Sequence, residues 1–292
     1  MHLLDLRRST AALALGVAAF AIAACGDDDE KEAAKPTTLS ITTTDAGKNF
    51  KMAVPKSIEG GAVTVKFRNA SKVPHEAQLI RLDDGHTVQE ALKIVTPEKV
   101  VLPDWFHAEG GVGGTPPGKS GSATVKLSPG TYGVIDTEAE DGPPPSTKGA
   151  IASFKVSGDN GAKVEDTSAK VETKDKGDKY EFVTSGLKAG TNNLTFDNTS
   201  KEIHHVLAFP INGNATTADV KKFFATMGET PGPPPVDFEN ADGTAVLDGK
   251  RKETTPFELR RGRNVLICFL TDRDGKGKSH VQRGMFKEVA VR

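Results

Sequence analysis

The feature that most constrains this chain is that it repeats itself. Residues 41–80, ITTTDAGKNFKMAVPKSIEGGAVTVKFRNASKVPHEAQLI, align with residues 171–209, VETKDKGDKYEFVTSGLKAGTNNLTFDNTSKEIHHVLAF. Asp45, Gly47 and Phe50 match Asp175, Gly177 and Tyr180. Further on, Phe67, Asn69, Ser71, Lys72 and His75 match Phe196, Asn198, Ser200, Lys201 and His204. The copies also end alike, with SPGTYGVIDTE (128–138) against RRGRNVLICFL (260–270) and KGAIASFKV (148–156) against RGMFKEVAV (283–291). Two copies of one unit are expected to share one fold, so whatever period is read in one copy applies to the other.

That period is the strand period. AVTVKF (62–67), SATVKL (122–127) and NNLTF (192–196) alternate apolar and polar residues, as half-buried strands do. Thirty Gly and seventeen Pro supply the turns between short strands. Each copy has room for one short helix, TVQEALKIV after Gly85-His86 and TTADVKKFFATM after Asn214. Thr87 with Glu90 has capping-box spacing, and Thr216 with Asp219 is a weaker acidic analogue. The expected fold is all-β: two tandem Greek-key β-sandwiches, each with one short helix. The first spans 38–158, a polar linker 159–170, and the second 171–292. The GGVGG run at 110–114 lacks the Lys-Ser/Thr of a phosphate loop and is expected to be a flexible loop.

The N-terminus addresses the compartment. Arg7 and Arg8 precede an apolar stretch from Ala11 to Ala24, of signal-peptide length and too short to span a bilayer comfortably. It ends in Ile22-Ala23-Ala24-Cys25, which resembles the lipobox of bacterial lipoproteins. The resemblance implies removal of residues 1–24, lipidation of Cys25, and an acidic tether over 25–37. The expected location is extracytoplasmic, anchored in a membrane by lipid. The formal net charge of −1, with one Trp and two Tyr, gives nucleic-acid binding no support.

A lipidated Cys25 leaves Cys268 as the one remaining thiol, without a disulfide partner in a compartment that usually pairs thiols. Such a thiol is either buried and inert or bound to something such as a metal. Here the residues resemble a family. FRNASKVPHE (67–76) looks like the first ligand segment of plastocyanin-type cupredoxins, which implies that both sandwiches are cupredoxin-like. The second copy has the family's ligand types in family order: His204, Cys268, His280 and Met285, with HVQRGM (280–285) keeping the His-to-Met spacing. The resemblance implies one type 1-like copper in the second copy, for electron transfer with a redox protein partner or for holding copper. A thiolate and a thioether suit Cu(I), while imidazole suits both oxidation states.

The departures from the family leave alternatives open. Eleven residues, FLTDRDGKGKS, separate Cys268 from His280, more than the family has. Either Asp274-Gly275 turns tightly and lets the excess bulge outward, or the loop carries His280 away. The first copy keeps His75 but has Asp136 at the Cys position, Ala150 at the Met position and no His in TEAEDGPPPSTKG (137–149). Its His75, His107 and Asp136 read as surface or loop residues rather than a second metal site. Each ligand of the second copy also has a structural reading: Cys268 as a buried hydrophobe, Met285 as core filler, His280 on a surface loop, His204 bonded to backbone. The other function is therefore a metal-free cupredoxin-like binding or structural module at the cell surface, with no cofactor. Cys268 is flanked by Ile267 and Phe269, and His-x-His pairs are lacking, which argues against a multicopper oxidase or nitrite reductase. The chain is expected not to be an enzyme.

Overall fold

The computed structural model describes residues 34–96, 100–138, 142–226 and 232–292. The expected signal at 1–24, the expected lipidation site Cys25 and the tether up to residue 33 lie outside these. Among the described residues, no helix is long and apolar enough to cross a membrane.

The architecture is the expected all-β one, with one short α-helix in each half among the described residues. An eight-stranded sheet runs in the order Lys179–Ser185, Ala169–Lys176, Gly190–Asn198, Arg251–Leu259, Ser120–Leu127, Gly61–Ala70, Thr37–Ala46, Asn49–Ala53. Its two ends are built alike. On one side Thr37–Ala46 pairs in parallel with Gly61–Ala70 and antiparallel with Asn49–Ala53. On the other, Ala169–Lys176 does the same with Gly190–Asn198 and Lys179–Ser185. The ends meet where Glu253 and Thr254 pair with Val125 and Thr124.

Two smaller sheets cover this one. His75–Leu82, Phe106–Thr115, Gly130–Ile135 and Ile151–Ser157 lie with Ser57–Glu59 in the first half. Leu207–Pro210, Asp242–Gly243, Gly262–Ile267 and Phe286–Val291 form the other. Period-2 alternation decides what faces inward: Leu39, Ile41, Val63, Val65 and Phe67 meet Leu79, Tyr132, Val134 and Phe154 in one core. Val171, Phe182, Leu194, Phe196 and Phe257 meet Val206, Leu266, Cys268 and Met285 in the other. Both helices, Val88–Val95 and Thr217–Ala225, carry complete capping boxes, at Thr87/Glu90 and Thr216/Asp219. Asp219 thus closes its box as fully as the longer Glu90 does.

The GGVGG run departs from expectation. It is not a loop but part of the strand Phe106–Thr115. Glu109 and Gly110 (φ 76°) form a bulge at the register shift opposite Leu79, and Gly111 (φ 136°) resumes the pairing at Gln78. A Cβ at Gly110 would lie 2.4 Å from Glu253 Oε2, so the glycines let the two halves approach. The polar linker is likewise tied down: Ala162 and Val164 are buried against Ala62, and Asn160 Nδ2 donates to Ala62 O at 2.9 Å.

The repeated Asn-x-Ser motif is explained by folding, not by chemistry at the site. Asn198 is fully buried, and its Nδ2 donates to Glu202 O and Leu247 O, both at 2.8 Å. Its Oδ1 accepts from Ser200 N at 3.2 Å and Ser200 Oγ at 2.8 Å. Asn69 makes the matching set with Val73 O, Thr115 O and Ser71. In each half this lock sets the chain that delivers the following histidine.

Candidate metal centre

His204 emerges from the Asn198 lock and is fixed by a backbone bridge, its N–H donating to Leu247 O at 3.0 Å and its carbonyl accepting from Leu247 N at 2.8 Å. Cys268 is the first residue past the strand Gly262–Ile267. His280 opens a 3-10 turn, His280–Arg283, that ends at Gly284 with φ 109°. A side chain at Gly284 would be both strained and 2.7 Å from Tyr180 O, so a glycine is required to bring this turn against the core. The eleven-residue loop does turn tightly, with Gly275 N–H donating to Asp272 O at 2.8 Å. It then returns, so that His280 N–H donates to Leu270 O at 2.7 Å. The loop does not carry His280 away.

The three donors therefore converge. Cys268 Sγ lies 3.6 Å from His204 Nδ1 and 3.5 Å from His280 Nδ1. All three ligand atoms lie within 4.8 Å of one another, and all three residues are fully buried. An ion bonded at roughly 2.0–2.1 Å to imidazole and about 2.3 Å to thiolate spans about 3.5–3.7 Å between them, at bond angles near 110–120°. The observed spacings match that span. Met285 is buried in the same core cluster as Cys268. Its N–H donates to His280 O at 2.9 Å and its carbonyl accepts from Cys268 N at 3.3 Å. The expectation of a surface-loop His280 does not hold, and neither ring nitrogen of His204 is bonded to backbone.

Protonation follows from burial. Burial pushes the Cys268 thiol up to about 12. It pushes His204 down to about 2, with His280 nearby adding to the effect, and His280 down to about 4 against the pull of Asp272. At neutral pH the group is thus one thiol and two neutral imidazoles. His280 Nε2 lies 3.0 Å from Asp272 Oδ1. Since the ionised carboxylate only accepts, that nitrogen carries the proton and the Nδ1 lone pair faces the sulfur. Whichever tautomer His204 adopts, its Nε2 is buried without a partner. A thiol and two imidazoles aimed at one buried point are a donor set that fits a soft cation.

Around them stands a shell that the sequence did not announce. Asp272 Oδ1 also accepts from Tyr180 OH at 2.7 Å, and Oδ2 pairs with Arg283. Burial works against its charge, but the hydrogen bonds from Tyr180, Arg283 and His280 outweigh it and hold the carboxyl below its ordinary value. The Arg283 guanidinium lies 4.5 Å from the Tyr180 ring centre, and that ring meets His204 and His280 edge-on at 4.9 and 4.7 Å. Asp272 falls in the segment that looked like excess loop. Tyr180 was visible only as the partner of Phe50 in the repeat. His205 accepts the N–H of Phe269 at 3.2 Å, beside the sulfur and not at it.

Among its described residues the first half has no such group. His75 Nδ1 is hydrogen-bonded to Asp136 Oδ2; His75 opens the strand His75–Leu82 and Asp136 follows the strand Gly130–Ile135, but both are fully buried, so neither is the surface residue expected. His107 is not with them; its Nε2 lies 3.0 Å from Asp83 Oδ1. Among the described residues, His204, Cys268 and His280 are the one group of His, Cys, Asp or Glu able to hold a metal ion.

No protein-family model and no curated protein matches the sequence. Among solved structures the chain is similar to a multicopper oxidase, at 15% identity over 87% of this chain and 88% of that one, TM-score 0.24. It is also similar to a dithionite-reduced auracyanin from the photosynthetic bacterium Roseiflexus castenholzii, at 19% identity over 41% and 98%, TM-score 0.29. A third is the copper nitrite reductase from Nitrosomonas europaea, at 11% identity over 88% and 94%, TM-score 0.27.

Proposed function

We propose that the chain is a cupredoxin-like protein that binds one copper ion at His204, Cys268 and His280, with Met285 as the weak fourth ligand. Its work is to pass electrons to a redox protein or to hold copper. The observation that carries this reading is the convergence of two imidazole Nδ1 atoms on one buried sulfur at 3.5 and 3.6 Å. Copper, when bound, supplies one-electron exchange between Cu(I) and Cu(II). The chain's own part is to keep the donors in place and dry. Asp272 fixes the tautomer and tilt of His280, the Leu247 bridge fixes His204, and burial excludes water from the sulfur. A site held this firmly changes little between oxidation states.

We further propose that residues 1–24 are removed and that Cys25 carries a lipid, which would hold the protein on the outer side of a membrane. Two sandwich domains joined over 159–170 are part of the same reading. The metal-free alternative is favoured by one observation, the His75–Asp136 pair: one half of the chain closes the same position without a metal.

The test is addition of Cu(II) to the purified soluble body, with the visible spectrum recorded. An intense thiolate-to-copper band, with Cys268 shielded from thiol reagents by copper, is the expected result. Absence of the band together with copper-independent labelling would leave only the metal-free reading. Membrane retention that survives Cys25→Ser would remove the anchor.

A further inference from the structure

The loop between Cys268 and His280 is hydrogen-bonded to the first half of the chain through Arg273, while Leu270 packs against the apolar cluster of Ile80, Leu102 and Phe106. Arg273 donates its main-chain N–H to Glu202 Oε2 at 2.8 Å and accepts from Leu102 N–H at 2.7 Å on its carbonyl. Its guanidinium reaches Asp248 Oδ1 at 2.5 Å through Nη1, and Nη2 donates to Pro103 O at 2.9 Å and to Phe106 O. Leu102, Pro103 and Phe106 all belong to the half that lacks the thiol. The residue next to Arg273 is Asp272, whose Oδ1 accepts the His280 Nε2–H.

We propose that the first half of the chain serves as the mounting for the ligand loop of the second, with Arg273 as the positioning residue. It acts through Asp272 to hold the His280 ring at the Cys268 sulfur. This rests on the reading of His204, Cys268 and His280 as a metal centre. The physical need is plain. An eleven-residue connection between two ligands is long enough to drift, and a site loosened by an ångström loses its ligand geometry. Arg273 removes that freedom because its planar fork meets a carboxylate and two carbonyls at once, and its backbone is bonded in both directions. A lysine has the charge but not the fork. The half without a metal group thus retains a role in the centre, and the tight contact between halves at Gly110 and Gly111 is consistent with it.

The experiment compares Arg273→Ala and Arg273→Lys with Gln78→Ala in the full chain. Gln78 also bonds across the halves, Oε1 accepting from Val246 N at 2.6 Å and Nε2 donating to Val246 O at 2.9 Å, but it touches no ligand or loop hydrogen-bond partner. Two readouts are taken. One is copper affinity and the charge-transfer spectrum. The other, in the metal-free chain, is the imidazole nitrogen shift of His280 with the labelling rate of the Cys268 thiol. Arg273→Ala should lower copper affinity by on the order of 10-fold or more, move the band, and disturb the His280 signal. Arg273→Lys should recover only part of this. Gln78→Ala should lower the melting temperature while leaving both readouts as in the parent. The proposal falls if Arg273→Ala leaves the His280 signal unchanged, or if Gln78→Ala moves it equally. A parent chain that binds no copper would sink the copper reading alone, because the metal-free readout still judges the loop.

Discussion

One place occurs twice in this protein, and the two versions have been filled differently. In both, an Asn-x-Ser lock delivers a histidine, a strand ends beside it, and a 3-10 turn closed by a left-handed glycine packs against the backbone of an aromatic residue. A Cβ at Gly149 would strike Phe50 O at 2.4 Å, just as one at Gly284 would strike Tyr180 O. Ala150 N–H donates to Pro145 O at 3.1 Å where Met285 N–H donates to His280 O at 2.9 Å. The frame is therefore common. The contents are His75, Asp136, Pro145 and Ala150 in one, and His204, Cys268, His280 and Met285 in the other. In the first the Asp136 carboxylate partners His75 Nδ1, in the second a thiol lies between two neutral imidazoles, and each frame leaves one buried imidazole Nε2 without a partner, at His75 and at His204. The lesson is that this fold needs something polar to partner its first histidine, and that the partner decides whether a metal has anything to bind.

The comparison is broken most directly by exchanging contents. Cys268→Ala should abolish the charge-transfer band entirely. Asp136→Cys with Pro145→His and Ala150→Met in the first half should raise the copper stoichiometry from one to two, read by metal analysis after gel filtration. If the graft folds and stays empty, the frames are not equivalent.

A smaller effect tests the first half's own solution. His75→Ala leaves the Asp136 carboxylate buried without its partner and should cost about 3–5 kcal/mol in urea unfolding. His204→Ala in the metal-free chain, among neutral partners, should cost less. Equal losses would show that His75–Asp136 is not the tighter pair.

The seam between the halves has its own signature. Burial pushes Glu253 up to about 8, and its Oε2 accepts from Gly111 N–H at 3.0 Å across the seam. The folded chain thus holds this proton more tightly than the unfolded chain does. The stability it lends is complete below the ordinary glutamate pKa and is lost as pH rises through about 8, by at most about 1.4 kcal/mol per pH unit. Glu253→Gln should flatten the difference in stability measured at pH 5, 6.5 and 8 relative to the parent. An unchanged slope would mean that Glu253 does not hold its proton. The smallest change makes the second frame resemble the first: Tyr180→Phe, after Phe50, removes one hydrogen bond to Asp272. It should cost about 1 kcal/mol and shift the copper band slightly. A large loss of copper would mean that Tyr180 does more than orient Asp272.

Several elements were legible in the residues. Alternation at 62–67 and 122–127 marked strands, and Thr87/Glu90 and Thr216/Asp219 marked helix starts, because each is a short-range pattern acting on adjacent backbone. The four candidate ligands were legible as residue types in order along the chain. GGVGG was misread because glycine serves a loop and a close approach equally well; only Glu253, far away in the chain, tells them apart. Asp136 and His75 were misread as exposed for a similar reason, since a polar residue is buried only where a distant partner meets it.

By itself, then, the sequence determined the repeat, the all-β pattern, the placement of the helices and the chemical types available at each copy of the site. These depend on local backbone preference and on period. The tertiary structure alone decided that an eleven-residue loop returns His280 to within 3.5 Å of Cys268, that Asp272 bonds the His280 ring and Tyr180 bonds Asp272, and that Arg273 reaches Pro103. Those contacts join residues from 8 to 170 positions apart. Their energy depends on burial and distance, and no stretch of sequence carries either.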